Sequence, residues 1–358
     1  MELKTILAKV EEHFVRGLPF VLYSLPESDA ITALLQKDNK IHTCDDYSED
    51  GFVMVPFSTG TRLMMPEKHC EKAVVSYPEK IAAQPFISVS EDNQEETDYL
   101  ALVSKARKNI LDGKYYKIVT SRQKKVQLSN FDLSELIPRL FGLYPQAFGY
   151  VWYHPHSGLW CGATPEVLVK TNGKEFNTMA LAGTNIFQED QEPNWTQKEI
   201  SEQKWVVEAI ADKLQHTASV VRVSKIKNHR AGSLVHLRTD FNGVVKKGCN
   251  TLATLVASLH PTPAVCGAPE KLAKQFIIQN ENYNRAYYTG FLGPINTETK
   301  EAQLFVNLRC MQILDEEVNL FVGGGITLDS VPEAEWEETK NKLQTMLQVI
   351  APMLSIND

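Results

Sequence analysis

The chain has 358 residues, and its 37 basic and 44 acidic side chains give a formal net charge of −7 at pH 7. Hydrophobic residues make up 43% and charged residues 23%, which is typical of a folded globular protein and excludes disorder throughout. The acidity argues against nucleic acids and anionic membranes as partners, since both select basic surfaces.

The first 95 residues carry few chemical signals. Segments 18–23 and 51–56 have the composition of β-strands, and the polar segment 90–96 is typical of a connector. No apolar run approaches the roughly 18 residues of a membrane-spanning helix, and charges interrupt the first 17 residues, unlike a secretory signal. The six cysteines form no CxxC pair, so we expect reduced, buried thiols in a cytoplasmic protein.

Helices and strands are mixed after residue 96. Apolar spacing predicts helices at 99–111, 133–143, 195–215 and 332–354. Strand-like segments occur at 115–122, 148–153, 158–161, 303–314 and 318–322. Strands joined in sequence by short turns, with the helices segregated, favour an α+β fold with an antiparallel sheet over parallel βαβ winding.

Two of these helices each carry a pair of glutamates spaced three residues apart. Glu199 and Glu202 share one face of their helix, and Glu335, Glu338 and Lys342 share a face of the last helix. Such faces are commonly solvated. If the two pairs instead meet across a cleft, their oxygens suit Mg²⁺ completed by a substrate carboxylate. The spacing alone leaves both interpretations open.

Two single residues stand where ionisable side chains are uncommon. Lys117 lies within a predicted strand, where it either reaches solvent from an edge or works in a pocket. Burial would lower the pKa of a lysine and suit it to act as a general base near neutral pH. Glu166 follows a turn between apolar strands, where it either caps the turn or serves as a buried general acid with a raised pKa.

Short motifs follow one another along residues 99–350. They are KIVTSR at 117–122, GATPE at 162–166, LAGT at 181–184, KEISE at 198–202, VHLR at 235–238, LHPTPAVCG at 259–267, ENYNR at 281–285, YTG at 288–290, NLR at 307–309, GGGI at 323–326 and PEAEWEE at 332–338. In this order the set resembles the chorismate-utilising enzymes. That family includes isochorismate synthase, salicylate synthase and the large subunits of anthranilate and aminodeoxychorismate synthases.

The resemblance implies one large domain, with antiparallel sheets in the core and helices outside. Residues 1–95 would be its variable N-terminal part and residues 96–355 its catalytic region. Lys117 and Glu166 would be catalytic, and Mg²⁺ would be bound by Glu199, Glu202, Glu335 and Glu338. The positions that match substrate-binding residues of the family are Ala182, Gly183, Thr184, His236, Tyr288, Arg309, Gly323, Gly325 and Lys342. For His236, a core histidine with satisfied hydrogen bonds is the alternative.

Two positions separate members of the family by their nucleophile. Lys117 matches a lysine of the enzymes that use water, whereas anthranilate synthases typically have glutamine there. Ala182 stands where aminodeoxychorismate synthases have the lysine that attacks the ring. The resemblance therefore implies that water attacks C2 of chorismate while the C4 hydroxyl leaves, which yields isochorismate for menaquinone or siderophore biosynthesis.

Within the family other activities are open. Salicylate synthase, which also eliminates pyruvate from isochorismate, is the second candidate, followed by an anthranilate synthase-like subunit and a non-catalytic homologue. With water as the nucleophile no amidotransferase subunit is required, and we expect a monomer or weak homo-oligomer. Three residues depart from the family pattern and affect the expected details of the pocket: Gln203, Glu270 and Ala286.

Overall fold

The computed structural model describes residues 2–84, 86–189, 191–246 and 251–355, so that Cys249 lies outside the described residues. Its α-helices are α1 (Leu3–Val15), α2 (Asn93–Leu111), α3 (Leu133–Leu143), α4 (Gln197–Thr217), α5 (Thr251–Leu259), α6 (Glu270–Asn280) and α7 (Pro332–Ile350). Its strands are β1 (Phe20–Ser24), β2 (Ala30–Gln36), β3 (His42–Thr43), β4 (Gly51–Val55), β5 (Leu63–Pro66), β6 (Cys70–Ser76), β7 (Lys117–Gln127), β8 (Phe148–His154), β9 (Gly158–Thr164), β10 (Val167–Asn172), β11 (Glu175–Ile186), β12 (Ala218–Val223), β13 (Lys227–Ala231), β14 (Leu234–Val245), β15 (Gly267–Ala268), β16 (Phe291–Asn296), β17 (Glu301–Val306), β18 (Cys310–Leu314) and β19 (Glu317–Ile326).

Two antiparallel sheets form the core of the molecule. The first sheet has the strand order β15-β7-β19-β18-β9-β8-β1-β2-β6. The second has the order β12-β14-β11-β10-β17-β16-β4-β5-β3, with β13 paired to β14. All of these pairs are antiparallel. The expected α+β fold with an antiparallel core is therefore confirmed.

The sheets face each other, and helices cover their outer faces. Side chains alternate along each strand. In β1, Val21 joins the apolar cluster between the sheets, which includes Phe52 of the second sheet. Its neighbours Phe20 and Leu22 join the opposite cluster, with α1, α3 and α7. On the far side, α4 and α5 cover the second sheet. The helices thus enclose a two-sheet interior.

Predicted helix bounds agree with the structure where a side-chain cap is present. Helix α3 has the predicted bounds, because Asp132 accepts hydrogen bonds from the first-turn amides. Helix α4 begins two residues later than predicted, since Thr196 and Glu199 form a capping box at its start. The prediction of a connector through residue 96 is wrong, because α2 begins at Asn93 with Asp92 as its cap.

The prediction of one strand over residues 303–314 is also wrong. The chain leaves the second sheet at the end of β17 and enters the first at the start of β18. Arg309 makes this crossing with a left-handed backbone φ of +46°. A strand-like alternation of polar and apolar residues continues through the break, so the sequence pattern gives no sign of it. The break matters because it presents Arg309 at the functional site.

Two further expectations concern thiols and membranes. Five cysteines lie in the described residues, and all are free and buried: Cys44, Cys70, Cys161, Cys266 and Cys310. Among the described residues no helix combines the length and apolarity that crossing a membrane requires.

Candidate active site

A cleft with about 650 Å³ of empty space opens between the sheets and reaches α4 and α7. Every residue expected to bind substrate lines it, together with the expected acid Glu166 and the expected metal ligand Glu202. The residues that line the cleft come from β7, β11, β14 and β19, from helices α4 and α7, and from the turns between strands. The fold therefore brings together residues that are scattered along more than half of the chain.

Lys117 lies directly behind the cleft wall. Its side chain is 0% exposed, and its Nζ is 3.0 Å from Oε1 of Glu202. A Cβ at Gly325 would stand 2.7 Å from Lys117 Cε and 2.1 Å from that glutamate oxygen. Any side chain at Gly325 would therefore displace both ionisable groups. The interpretation of Lys117 as a lysine that reaches solvent is wrong.

Glu166 occupies the turn between β9 and β10 and is 2% exposed. Burial raises the pKa of its carboxyl group to about 7, although the nearby Lys117 charge and the Thr262 hydroxyl both act to lower it. The Thr262 hydroxyl donates to Oε1 of the carboxyl group at 3.3 Å. At neutral pH a large fraction of Glu166 is thus protonated and able to donate a proton.

The glutamate pairs of α4 and α7 face one another around Lys198. The Lys198 Nζ is 2.9 Å from Glu335 Oε1, 3.5 Å from Glu338 Oε2 and 4.0 Å from Glu199 Oε1. Glu335 is 1% exposed and Glu202 is 7% exposed. The interpretation of these faces as solvated surfaces is therefore wrong for the inner member of each pair. Sequence analysis missed Lys198, which precedes the first glutamate of the KEISE motif.

The pKa values of the two glutamates on α7 shift in opposite directions. Burial raises the pKa of Glu335, and the neighbouring Glu338 charge adds to the rise. Burial acts in the same sense on Glu338, but Lys342 and Lys198 outweigh it and lower the pKa of Glu338. Oε2 of Glu335 is buried, and none of the described residues forms a hydrogen bond with it. An unsatisfied oxygen beside ionised carboxylates is a donor set that a hard cation prefers.

The ammonium group of Lys198, and not a close set of metal ligands, lies at the centre of the glutamate cluster. Among the described residues, no group of three or more histidine, cysteine, aspartate or glutamate side chains has the spacing of a metal site. The ammonium group of Lys198 occupies the position between the two pairs. The oxygens of the four glutamates are of the type that binds a metal cation. In this structure the positive charge between the two pairs is the ammonium group of Lys198.

Arg309 is buried in the cleft without an acidic partner. Its Nη1 donates to Thr345 Oγ1 at 3.2 Å, and its Nη2 donates to His236 Nε2 at 3.3 Å. Among the described residues no carboxylate lies within 4.0 Å of the guanidinium group, and burial lowers the pKa of Arg309 to about 10. A buried guanidinium without a counter-ion is a ready site for a carboxylate ligand.

His236 is held as a neutral ring by two opposite contacts. Since arginine only donates, Nε2 must accept from Arg309, and Nδ1 therefore carries the proton. This Nδ1 lies 2.9 Å from the carbonyl oxygen of Gly183, to which it donates. Burial and the Arg309 charge lower the pKa of His236 to about 3. The ring lines the cleft in a single tautomer and orientation.

Lys342 and Tyr288 complete the wall of the cleft beside strand β19, which carries Gly323 and Gly325. Lys342 Nζ donates to the Gly323 carbonyl oxygen at 2.8 Å and to Glu338 Oε1 at 2.6 Å. The Tyr288 ring stacks on Phe321 with a centroid distance of 5.4 Å. Sequence analysis missed Phe321 and Thr262, whose apolar or small side chains carry no signal of a site.

The three departures from the family pattern have structural partners. Gln203 Nε2 donates to the Ala180 carbonyl oxygen and to Thr239 Oγ1, each at 3.2 Å, and so ties α4 to the second sheet. Glu270 pairs with Lys213 and does not line the cleft. Ala286 has a φ of +47°, in the left-handed region that favours glycine. None of the three replaces a group that lines the cleft.

The chain belongs to the family of chorismate binding enzymes, whose family model matches residues 61–351. It is 31% identical over 265 residues to the isochorismate synthase EntC of Escherichia coli strain K12, covering 71% of this chain and 67% of EntC. It is 24% identical over 318 residues to the isochorismate synthase MenF of Pasteurella multocida strain Pm70, covering 84% and 73%. The resemblance to this family, and to its isochorismate synthases, is confirmed.

Solved structures share the fold. A putative 2,3-dihydroxybenzoate-specific isochorismate synthase, DhbC from Bacillus anthracis, superposes with a TM-score of 0.78 at 23% identity, covering 96% of this chain and 99% of that one. MenF, the menaquinone-specific isochorismate synthase from Escherichia coli, gives a TM-score of 0.75 at 21% identity, covering 93% and 88%. The expected single α+β architecture with two antiparallel sheets is that of these proteins.

Proposed function

We propose that this enzyme is an isochorismate synthase, which adds water at C2 of chorismate and removes the C4 hydroxyl. The observation that carries the proposal is a pair of buried ionisable groups: Glu166 lines the cleft, and Lys117 lies directly behind its wall against Glu202. The names of the relatives EntC and MenF support the same reaction. Addition of water at C2 with departure of the C4 hydroxyl needs one base and one acid, and these two residues are the candidates for them.

The substrate carboxylates would meet fixed donors. Arg309 has no acidic partner and offers a guanidinium fork for bidentate contact with one carboxylate. Tyr288 and the backbone amides of Gly323 and Gly325 would add donors on the same wall. The neutral ring of His236 would lie against the substrate ring. These contacts orient the substrate before any bond changes.

The proton transfers follow from the two buried groups. Lys117 removes a proton from the water whose oxygen bonds to C2. The ring double bonds shift as the C4–oxygen bond breaks, and protonated Glu166 donates a proton so that the hydroxyl leaves as water. In the reverse direction the two groups exchange roles, so the reaction is expected to be reversible.

Mg²⁺ would be held by Glu199, Glu202, Glu335 and Glu338, whose oxygens are the donors that this ion prefers. When bound, the ion would offset the charge of the ring carboxylate in a protein whose own charge is −7. The unpartnered Oε2 of Glu335 supports this assignment. We further propose that the enzyme works in the cytoplasm without an amidotransferase subunit, as a monomer or weak homo-oligomer, and feeds menaquinone or siderophore biosynthesis.

Product analysis tests the proposal. Purified protein is incubated with chorismate and Mg²⁺, and the products are separated by chromatography. Isochorismate is the expected product. Salicylate with pyruvate would identify a salicylate synthase, anthranilate formed with added ammonia would identify an anthranilate synthase-like subunit, and absence of any product would indicate a non-catalytic homologue.

Two variants test the assigned roles. Lys117→Ala and Glu166→Gln should each lower kcat by about 10²–10⁴-fold, the usual contribution of a general acid or base. Lys125→Ala is the matched control, because Lys125 lies on the same strand β7 with its side chain 59% exposed. Near wild-type turnover in either site variant, with an unchanged circular dichroism spectrum, would refute that residue's role.

A further inference from the structure

A second and larger cavity adjoins the active-site cleft. It has about 2480 Å³ of empty space, and Pro165 and Arg309 line both cavities. Its remaining walls include strands β10 and β11 of the second sheet, the β13–β14 turn and the C-terminal half of α7. Arg309 therefore stands at the junction, where one guanidinium group can be reached from either side.

The charge of this cavity is opposite to that of the whole chain. Among the described residues on its walls, the cationic side chains outnumber the acidic ones: Lys170, Arg230, Arg238 and Arg309 against Glu27. The chain as a whole has a net charge of −7. A basic concave surface on an acidic protein concentrates positive potential at one place, and low-dielectric walls strengthen its field.

Two of these four cations are already engaged by the protein. Arg238 Nε donates to Asp240 Oδ1 at 2.7 Å, and Lys227 Nζ lies 2.7 Å from the other oxygen of that carboxylate. Arg230 stacks over the Phe187 ring at 3.8 Å and donates to the Gly232 carbonyl oxygen. Their positive charge contributes to the field, but their geometry is set by protein contacts.

Unlike the three arginines, the ammonium group of Lys170 donates no hydrogen bond to any of the described residues. It lies on β10 opposite Asn177 of β11, half-buried, with Nζ 5.6 Å from the centre of the Phe305 ring. No carboxylate of the described residues forms an ion pair with it at 4.0 Å or less. Glu27 of the same cavity acts on this ammonium group only from beyond ion-pair distance, so its desolvation cost is one that an anionic ligand would offset.

We propose that this cavity is the vestibule through which the dianionic substrate reaches the active site, with Lys170 as the residue that steers its carboxylates towards Arg309. The inference rests on the proposed function, because it takes a cyclic dicarboxylate as the ligand. Apolar walls beside Lys170, formed by Val167, Met179 and Phe305, suit the ring of such a molecule. Electrostatic steering raises the rate of encounter without altering the chemical step.

The ionic-strength dependence of kcat/KM tests the inference. Lys170→Gln should lower kcat/KM for chorismate by about 3–10-fold at low salt and leave kcat unchanged. The difference should disappear near 1 M salt, where the Debye length is only about 3 Å. Lys170→Arg should retain the wild-type value. Lys271→Gln is the control, since Lys271 is exposed on α6 and lines neither cavity.

A direct measurement removes any dependence on the chemical step. In a Glu166→Gln background, stopped-flow fluorescence gives the association rate constant for chorismate, which should show the same loss and the same salt dependence. An equal rate for Lys170→Gln and its parent at low salt, or a loss that salt does not change, would overturn the inference alone. If the wild-type protein neither binds nor converts chorismate, the proposed function fails and the inference falls with it.

Discussion

At the scale of single residues, Glu166 illustrates how the site sets the state of a side chain. It is 2% exposed, and burial raises the pKa of its carboxyl group from 4.5 to about 7. The same burial that makes Glu166 a proton donor near neutral pH makes its ionised form costly to the folded state. The raised pKa and the stability cost therefore arise from one cause.

The stability cost predicts a specific dependence on pH. The folded-state pKa is raised, so the protonated carboxyl group stabilises the fold below about pH 4.5, and this contribution is lost as pH rises through 7. Glu166→Gln removes the titration. Its free energy of unfolding should gain up to about 3 kcal/mol relative to wild type between pH 5 and pH 8, measured by urea denaturation. A difference between the two proteins that stays constant with pH would contradict the raised pKa.

Ala286 gives a second prediction at this scale. Its φ of +47° costs an alanine about 1–2 kcal/mol, which glycine does not pay in full because it has no Cβ. After allowing for the greater freedom of glycine in the unfolded chain, Ala286→Gly should stabilise the protein by about 1 kcal/mol in thermal denaturation. Ala211→Gly, within helix α4, is the control of opposite sign and should destabilise it by about 1 kcal/mol.

At the scale of secondary-structure elements, the meeting of α4 and α7 forms the glutamate cluster proposed to bind Mg²⁺. Each helix contributes two glutamates, and Lys198 of α4 lies 2.9 Å from Glu335 of α7. This ammonium group offsets carboxylates that would otherwise repel each other across the contact between the helices. Lys198 and Mg²⁺ would therefore compete for the same oxygens.

If Lys198 and Mg²⁺ compete for these oxygens, removal of the lysine charge should lower the stability of the metal-free protein and strengthen Mg²⁺ binding. Lys198→Met keeps the length of the side chain but removes its charge. The metal-free variant should lose about 3 kcal/mol of stability, because buried carboxylates lose their counter-ion, and calorimetry should find tighter Mg²⁺ binding. Lys204→Met, on an exposed part of the same helix, should change neither. Equal Mg²⁺ affinity in Lys198→Met and wild type would exclude the competition.

At the scale of the whole molecule, residues 1–95 contribute strands to both sheets. Strands β1, β2 and β6 end the first sheet, and β4, β5 and β3 end the second. Helix α1 adds Ile6 and Val10 to the cluster beneath the first sheet. The expected division into a variable part and a catalytic region at residue 96 thus stays a prediction about function, since these strands complete the hydrogen bonding of β8 and β16.

Truncation tests how far the two parts depend on each other. A fragment of residues 96–355 would expose the edges of β8 and β16 and the apolar faces behind them, so it should not fold alone. We expect circular dichroism to record no cooperative thermal transition for the fragment. A soluble fragment that unfolds cooperatively would instead establish residues 96–355 as an independent domain.

Local sequence patterns correctly predicted the structural features that depend on residues close together in the chain. Helix α3 has the predicted bounds, because its apolar spacing and its Asp132 cap are local properties. The two glutamate pairs were predicted to share helix faces for the same reason. The strand prediction failed at Arg309, where the chain changes sheets within a strand-like alternation of polar and apolar residues, because sheet membership is set by distant partners.

The sequence by itself determined the α+β class, the helical glutamate pairs and the ordered motifs of the family, since each is written in short-range spacing and residue type. Only the tertiary structure decided that Lys117 is buried against Glu202, that Lys198 lies among carboxylates of another helix, and that a basic cavity adjoins Arg309. Lys198 and Glu338 are 140 residues apart along the chain, and no local pattern encodes their contact. Burial and opposing charges act through space, so their effects on these groups follow from the fold and not from spacing along the chain.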